Sequence, residues 1–237
     1  MNKKLIYQKL EQKFVKYRDL KKIAAFECGE PLVALANKDG LQVEYQPQLS
    51  DMKKFQKGKI FVRKDVRNRL IAAQKYLKRK CSDFVLLVTY GYRLPRIQEK
   101  YFRKTIDKLK RRYQKKDDLY EAAHQLIAVP EVAGHPSGGA VDVTIFDEKA
   151  EKQVDMGTKI YDFETKDIYT FSPFITRKQE ENRLLLRKCM LKAGFVPFDG
   201  EWWHFSFGDK EWAYYYKKEF AIYRAIIAKN NDDRLAF

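Results

Sequence analysis

The stretch GHPSGGAVDVTIF, residues 134–146, changes from loop to strand chemistry within a few residues. Its glycine-rich first half predicts a loop, and AVDVTIF, residues 140–146, predicts a β-strand. Side chains alternate faces along a strand, so Asp142 lies on the face opposite to Val141 and Val143. A carboxylate in the middle of such a strand is buried at considerable cost unless a cation or hydrogen-bond donors compensate it. We therefore expect Asp142 to have a partner.

His135, in the preceding loop, is one candidate for that partner. Gly138 and Gly139 would let the loop fold back so that the His135 imidazole approaches the Asp142 carboxylate. Imidazole and carboxylate groups are both ordinary zinc ligands. The H-x6-D spacing is weak on its own, because a loop histidine is more often exposed and an aspartate can simply cap a turn.

The stretch FDGEWWHFSF, residues 198–207, is the second segment with unusual chemistry. A turn is followed by an aromatic run that predicts a strand entering the core. Glu201 lies at the turn and His204 lies inside the run. Taken alone, a histidine among aromatic side chains is more typical of a packed core residue than of a ligand.

The histidines and carboxylates of both segments together indicate a metal site. The chain has three histidines, and two of them, His135 and His204, each share a segment with a carboxylate. Two histidines and one carboxylate with an open fourth position are the ligand set of a hydrolytic zinc site, and a further carboxylate nearby supplies a general base. His124, the third histidine, is expected at the end of a helix in a structural or exposed position.

The composition limits the classes of protein to consider. The chain has 237 residues, 45% of them hydrophobic, which fits one domain with a substantial core. Its three cysteines form no C-x-x-C pair, which argues against a disulfide framework. No stretch approaches the ~20 apolar residues of a membrane span, and no apolar segment follows the N-terminal lysines. We therefore expect a cytoplasmic protein without a membrane span.

The patterning predicts an α+β fold in which a small, mainly antiparallel sheet carries the site and helices flank it. Apolar residues at three- and four-residue steps predict helices, and the apolar run before Gly91 predicts a buried strand. The predicted helices are residues 3–25, 65–78, 97–113, 177–193 and 209–237, and the predicted strand is residues 84–90.

Four separate elements resemble the D-alanyl-D-alanine dipeptidases of the VanX type, within the zinc D-Ala-D-Ala peptidases. The likeness spans roughly residues 60–208, whereas residues 1–60 match weakly. The matching elements are His135 through Gly138 and Ala140 to Asp142; Glu201-Trp202-Trp203-His204; Tyr92-Arg93; and Met156-Gly157-Thr158, with similarity also in Asn182-Arg183-Leu184-Leu185.

The resemblance implies a single zinc peptidase domain, residues 1–237, with one Zn²⁺ per chain and D-Ala-D-Ala as the first substrate to test. The implied roles are zinc ligation by His135, Asp142 and His204, base catalysis by Glu201, oxyanion stabilisation by Arg93, and binding of the substrate ammonium by Asp162. The chain departs from the family pattern at Ala133, where a serine is usual, at Leu94, which is inserted before Pro95, and at Tyr161, which displaces the acidic element.

Two alternatives remain open at the level of the sequence. One is a D,D- or L,D-carboxypeptidase that trims longer peptidoglycan peptides. The other is a basic nucleic-acid-binding protein on a catalytically dead peptidase fold, suggested by the formal charge of +16 and the lysines and arginines of residues 108–116. Nucleic-acid binding would require neither Glu201 next to His204 nor Asp142 inside a strand, so we favour the peptidase.

Overall fold

The computed structural model describes residues 2–46 and 50–227, and the predicted apolar strand, residues 84–90, lies in a six-stranded sheet beside two two-stranded sheets. The strands are β1 (Ala24–Ala25), β2 (Leu32–Ala34), β3 (Gln42–Val43), β4 (Phe61–Arg63), β5 (Phe84–Tyr90), β6 (Ala140–Asp147), β7 (Lys152–Gln153), β8 (Val196–Pro197), β9 (His204–Ser206) and β10 (Phe220–Ala221). The two-stranded sheets are β1-β10 and β2-β4. The helices are α1 (Lys3–Glu11), α2 (Tyr17–Leu20), α3 (Ser50–Phe55), α4 (Lys64–Lys78), α5 (Pro95–Leu109), α6 (Lys116–His124), α7 (Arg177–Lys192) and α8 (Lys210–Tyr215).

The main sheet is mixed. Its strand order is β3-β5-β6-β9-β8, and β7 pairs with the far end of β6. The edge strand β3 runs parallel to β5, whereas the other pairs in this sheet are antiparallel. The expected combination of helices with a sheet is confirmed, and the parallel edge strand is the feature that the sequence did not predict.

The helices α4 and α7 cover the sheet, as their apolar spacing predicts. Helix α4 packs against β5 and α7 and buries Val66, Leu70 and Leu77 completely. Each such side chain stabilises the fold by about 1.5–3 kcal/mol through burial. Helix α7 begins at a capping box formed by Thr176 and Gln179, in which each side chain bonds the other residue's backbone N–H.

The two ends of the chain differ from the prediction. The expected helix at residues 3–25 divides into α1, α2 and the strand β1, which pairs in parallel with β10. The expected C-terminal helix, residues 209–237, is found only as the short helix α8, Lys210–Tyr215. Helix α8 ends near Lys217, which adopts a left-handed conformation with φ of 51°, and the chain then continues into β10. Residues 228–237 of that predicted helix lie outside the described part of the chain.

Helix α5 begins and ends earlier than the expected residues 97–113. Pro95 occupies the first turn, where its missing N–H removes no helical hydrogen bond. Phe102 on α5 packs with Ala123 on α6 in a second, smaller core cluster that also contains residues of α2. Within residues 2–46 and 50–227, no helix is both long and apolar enough to cross a membrane.

Candidate metal centre

The strand register places Asp142 between two functional side chains. Across the antiparallel pair β6–β9, Asp142 lies opposite His204, and across β5–β6 it lies opposite Tyr90 beside an irregularity in the ladder. Asp142 is 2% exposed. Its Oδ1 lies 2.9 Å from His204 Nδ1. The partner that the strand pattern required for Asp142 is therefore present.

The loop before β6 brings His135 to the same carboxylate. His135 begins a single 3-10 turn that ends at Gly138, whose φ of 75° favours glycine. At Gly139 a Cβ would lie 2.3 Å from the Phe207 carbonyl oxygen, so this close approach requires glycine. His135 Nε2 lies 3.5 Å from Asp142 Oδ2. One ligand atom from each of His135, Asp142 and His204 lies within 4.8 Å of the others.

The hydrogen bonding of His135 shows that these residues suit a cation. His135 Nδ1 lies 2.8 Å from the Gly91 carbonyl oxygen, which can only accept, so Nδ1 carries the proton. Burial lowers the pKa of His135 to about 4, so the ring is neutral and Nε2 presents a lone pair to the Asp142 carboxylate. Two acceptors facing each other repel unless a cation lies between them. A tetrahedral zinc ion separates its ligand atoms by about 3.4 Å, which fits the spacing observed.

The electrostatics of Asp142 and His204 favour an ion at the same place. Burial opposes ionisation of Asp142, but the two imidazoles outweigh it and hold the pKa of the carboxyl far below its usual range. Burial also lowers the pKa of His204, yet the hydrogen bond and charge of Asp142 dominate and raise it to about 9. Without a bound cation, a proton on His204 neutralises Asp142. A metal ion would replace that proton.

Glu201 stands beside the ligands without being one of them. The backbone N–H of Glu201 donates to the Phe198 carbonyl at 2.9 Å, which closes the predicted turn before β9. Its carboxylate faces the same cavity as Asp142 and His204. It has no hydrogen-bond partner in the described part of the chain. Burial raises the pKa of Glu201 to about 7, which is the range in which a carboxylate acts efficiently as a general base near neutral pH.

Arg93 is held rigidly at the edge of the site. Its side chain is 7% exposed, and its guanidinium donates to Gln98 Oε1 at 2.7 Å and to the Tyr90 hydroxyl at 3.2 Å. Its backbone N–H donates to the His135 carbonyl at 3.1 Å. Arg93 also lines the cavity, so a fixed cation faces the space next to the ligands. The insertion of Leu94 leaves this position intact.

The structure does not bring Asp162 to the site. Asp162 is half-buried and is absent from the described residues that line the cavity, whereas its neighbour Tyr161 lines it. Tyr161 adopts a left-handed conformation with φ of 65°. Its hydroxyl donates to Asp142 Oδ2 at 3.2 Å and lies 2.7 Å from Thr89 Oγ1. The departure seen in the sequence therefore places a phenol where a carboxylate was expected, and binding of the substrate by Asp162 stays a prediction.

The remaining motif elements form hydrogen bonds that link to the segment before β9. Trp202 Nε1 donates to Thr158 Oγ1 at 2.9 Å, which ties the Met156-Gly157-Thr158 element to the segment carrying Glu201 and His204. Arg183 is fully buried and donates to the carbonyls of Met156, Asp167 and Tyr169 at 2.6–2.8 Å. The elements that are separate in the sequence thus form one supporting network.

Glu211 was not identified from the sequence, and His124 was expected only in a structural or exposed position. Glu211 lines the cavity, and its Oε2 lies 3.9 Å from His204 Nε2. Its position in the first turn of α8 is usual for a glutamate, so no signal in the sequence separated it from a capping residue. His124 lies at the end of α6, as predicted, and is buried, but it also lines the cavity.

One cavity of about 310 Å³ is lined by the residues of the site, namely Arg93, His124, His135, Asp142, Tyr161, Glu201, His204 and Glu211. Residues of α5 and of the segment after α6 line the same cavity as the ligand residues. Ala133, the position at which the family pattern has a serine, also lines the cavity. Two histidines, a carboxylate, an adjacent carboxylate of raised pKa and a fixed arginine around an open cavity define the site of a hydrolytic metallopeptidase.

The chain belongs to the D-Ala-D-Ala dipeptidase family, peptidase M15, because the family model matches residues 48–225. The D-alanyl-D-alanine dipeptidase of Synechocystis sp. is 28% identical over 226 residues, covering 84% of this chain and 91% of that protein. The D-alanyl-D-alanine dipeptidase of Enterococcus faecalis is 30% identical over 78 residues, covering 33% of this chain and 38% of that protein. The family resemblance inferred from the motifs is thereby confirmed, and the chain is a metallopeptidase.

Among solved structures, the vancomycin resistance D,D-pentapeptidase VanY in complex with Zn(II) shares 15% sequence identity with this chain. The match covers 86% of this chain and 96% of that chain, with a TM-score of 0.40.

Proposed function

We propose that this protein hydrolyses the peptide bond between two D-alanine residues, with one Zn²⁺ held by His135, Asp142 and His204. The observation that carries the proposal is the position of His135 Nε2, 3.5 Å from the Asp142 carboxylate in a buried site, while Nδ1 is bonded to the Gly91 carbonyl. Glu201, whose carboxylate faces the same cavity without being a ligand, supports hydrolysis over simple metal storage.

The residues around the ligands have distinct tasks in this reaction. A bound zinc ion supplies a Lewis acid and lowers the pKa of a water molecule to about 7. Glu201 removes a proton from the attacking water and then delivers it to the nitrogen of the departing D-alanine. Arg93 donates hydrogen bonds to the oxygen of the scissile carbonyl as negative charge develops there. Since Tyr90 and Gln98 already orient the guanidinium, Arg93 needs little rearrangement during the reaction.

Two candidate activities differ in the length of the substrate. Free D-Ala-D-Ala is the substrate expected for a dipeptidase, and Asp162 would then bind its ammonium group. A carboxypeptidase acting on longer peptides is the second candidate. It is favoured by the position of Asp162 outside the cavity lining and by the continuation of the cavity along α5.

The first experiment compares D-Ala-D-Ala with its N-acetyl form in the zinc-loaded enzyme. A dipeptidase that binds the ammonium group should cleave the free dipeptide with a much higher kcat/KM, and Asp162→Asn should narrow the gap. Equal cleavage of both, or faster cleavage of the acetyl form, assigns the protein to the carboxypeptidases. If the enzyme cleaves neither substrate and also cleaves no longer D-Ala-D-Ala peptide, the proposed function is contradicted.

A pair of matched variants tests the role of Glu201. Glu201→Gln should retain zinc and lose about 10²–10⁴-fold in kcat, because the amide cannot accept the proton. Glu180→Gln makes the same change at an exposed position of α7 and should leave kcat unaltered. Loss of zinc from Glu201→Gln would show that Glu201 is a ligand and not the base.

A further inference from the structure

One face of α5 forms a wall of the cavity for most of the length of the helix. Gln98, Tyr101, Thr105 and Lys108 all line the cavity, and their spacing of three and four residues places them on one side of a helix. Lys104 lines it as well. From Gln98 to Lys108 the helix rises about 15 Å. The cavity therefore continues well beyond the metal ligands.

The far end of this wall is out of reach of a dipeptide. The Arg93 guanidinium donates to Gln98 Oε1 and lies 5.4 Å from the centroid of the Tyr101 ring, and from Tyr101 to Lys108 the helix rises about 10 Å. An extended dipeptide spans only about 7 Å. A substrate whose scissile carbonyl lies beside Arg93 must therefore be longer than a dipeptide to contact Lys108.

The two lysines at this end differ in their partners from three other cations in α5 and directly after it. Lys100, Arg103 and Lys110 each form a salt bridge with a carboxylate, at 3.3 Å, 2.6 Å and 2.7 Å respectively. Neither Lys104 nor Lys108 forms one with any residue of 2–46 or 50–227. The cations that face the cavity are thus those left without an ion-pair partner.

Lys104 does influence one nearby carboxylate without contacting it. Asp51 has its pKa lowered mainly by the hydrogen bond from Tyr101, with Lys104 contributing through a longer-range attraction. The carboxylate of Asp51 accepts its hydrogen bonds from Tyr101 and Lys100. The ammonium group of Lys104 therefore keeps all its donors for another acceptor.

His124 adds a neutral donor to the same wall. Its Nδ1 accepts a hydrogen bond from the Val129 N–H at 3.4 Å, so in the neutral ring the proton lies on Nε2. Burial lowers the pKa of His124 to about 4, so the ring stays neutral around pH 7. No partner for its Nε2–H is present in the described part of the chain, and His124 lines the cavity.

We propose that this end of the cavity is a carboxylate-binding subsite, in which Lys104 and Lys108 bind an acidic group of the substrate and His124 donates a hydrogen bond nearby. The preferred substrate is then a peptide longer than a dipeptide, with a carboxylate two or more residues from the scissile bond. This inference rests on the proposed peptide hydrolysis and specifies its substrate class. The carboxylate comes either from an acidic side chain on the N-terminal side or from the C-terminus of a longer leaving segment.

Two pairs of peptides distinguish these sources. The N-terminal pair is Glu-Gly-D-Ala-D-Ala and Gln-Gly-D-Ala-D-Ala, and the C-terminal pair is D-Ala-D-Ala-Gly-Gly as the free acid and as the amide. We expect the acidic member of one pair to have a kcat/KM about fivefold higher at low salt, the effect of two partly exposed ion pairs. The ratio should approach one at high salt, because exposed charges are screened.

The double variant Lys104→Gln/Lys108→Gln should reduce that ratio to about one. Lys100→Gln/Lys110→Gln removes the same charge from α5 and the residue that follows it, outside the cavity lining, and should keep the ratio near five. The ratio within a pair does not depend on the fraction of folded enzyme, so partial misfolding cannot mimic the effect. Hydrolysis of D-Ala-D-Ala by the wild type, measured in parallel, tests the proposed function separately.

Several outcomes would overturn the inference. In the wild type, equal kcat/KM values within both peptide pairs would show that no carboxylate is recognised. An equal loss of the ratio in both double variants would show that only the net charge matters. Weaker retention of Lys104→Gln/Lys108→Gln on DNA, with unchanged peptide ratios, would assign the lysines to nucleic-acid binding instead.

Discussion

At the scale of single residues, the backbone around His135 determines which of its nitrogens can bind a metal. The Gly91 carbonyl accepts the proton of Nδ1, which leaves Nε2 as the only nitrogen with a free lone pair. His204 is oriented the other way, with Nδ1 towards Asp142 and Nε2 towards Glu211. Each imidazole thus presents a single ligand atom to the same small volume.

Arg93→Lys should lower kcat by about 10²–10³-fold while changing KM much less. Lysine keeps the charge but cannot bond Gln98 and Tyr90 together, so the donor to the developing oxyanion is no longer fixed. Steady-state kinetics with D-Ala-D-Ala or the preferred longer peptide measure both constants. Arg96→Lys, an exposed change on α5, is the control. An unaltered kcat in Arg93→Lys would show that Arg93 acts only structurally.

The pH dependence of kcat/KM should report Glu201. Burial raises the pKa of Glu201 to about 7, and only its ionised form accepts a proton from water. Activity should therefore fall about tenfold per pH unit on the acid side, with an apparent pKa no higher than about 7, because a bound cation favours the carboxylate. Zinc content is measured at each pH, since protonation of His204 competes with the metal. Activity that rises below pH 6 would contradict the assignment of Glu201 as base.

The sequence predicted Asp142 and His204 because neither side chain suits the apolar run in which it lies. An aspartate inside the apolar strand of residues 140–146 and a histidine inside an aromatic run both need a partner that their neighbours cannot supply. Tyr161 and Glu211 carry no such conflict, since tyrosine suits a core and glutamate suits the first turn of a helix. Their places in the cavity depend on how distant segments pack, which a local pattern does not contain.

At the scale of elements, α7 and the loop before it act as the support of β9. Arg183 on α7 binds three loop carbonyls, and the loop residue Thr158 bonds Trp202. Burial lowers the pKa of Arg183 to about 10, so the side chain stays cationic at neutral pH. This buried cation, bonded to three carbonyls and to the Thr158 hydroxyl, orders the loop that positions Glu201 and His204.

Arg183→Met should reduce the free energy of unfolding by about 3–5 kcal/mol. Methionine fills part of the volume but leaves the carbonyls of Met156 and Asp167 without the donor that Arg183 supplies, while the Tyr169 carbonyl keeps only the Ser172 N–H. Urea-induced unfolding of the two proteins measures the difference. Arg177→Met on the same helix removes an exposed pair with Glu181 and should change the free energy by less than about 0.5 kcal/mol. An equally small change in Arg183→Met would show that the loop does not depend on this residue.

Elements with strong local patterns were predicted well, and those formed by long-range pairing were not. The apolar run before Gly91 and the capping box of α7 determine β5 and α7 almost residue by residue. The strands β1 and β10 have two residues each and exist because they pair with one another across the chain. No periodicity in the sequence distinguishes such strands from a continued helix.

At the scale of the whole molecule, the cations behind the formal charge of +16 do not all have the same role. Many surface cations form exposed ion pairs, such as Lys78 with Glu148, which contribute little to stability. The lysines of the cavity wall, Lys104 and Lys108, are placed to attract anionic peptides. In this part of the molecule, the positive charge therefore suits an anionic peptide substrate better than a nucleic acid.

The most direct test of the zinc peptidase assignment is a titration of the metal-free protein with zinc, followed by the rate of D-Ala-D-Ala hydrolysis, or of the longer peptide if that is preferred. The chelated protein should be inactive, and the rate should rise linearly with added zinc and level off at one zinc per chain. His135→Ala should show no such saturation at one equivalent. Full activity in the chelated, metal-free protein, or no hydrolysis of any D-Ala-D-Ala peptide at one zinc per chain, would contradict the assignment.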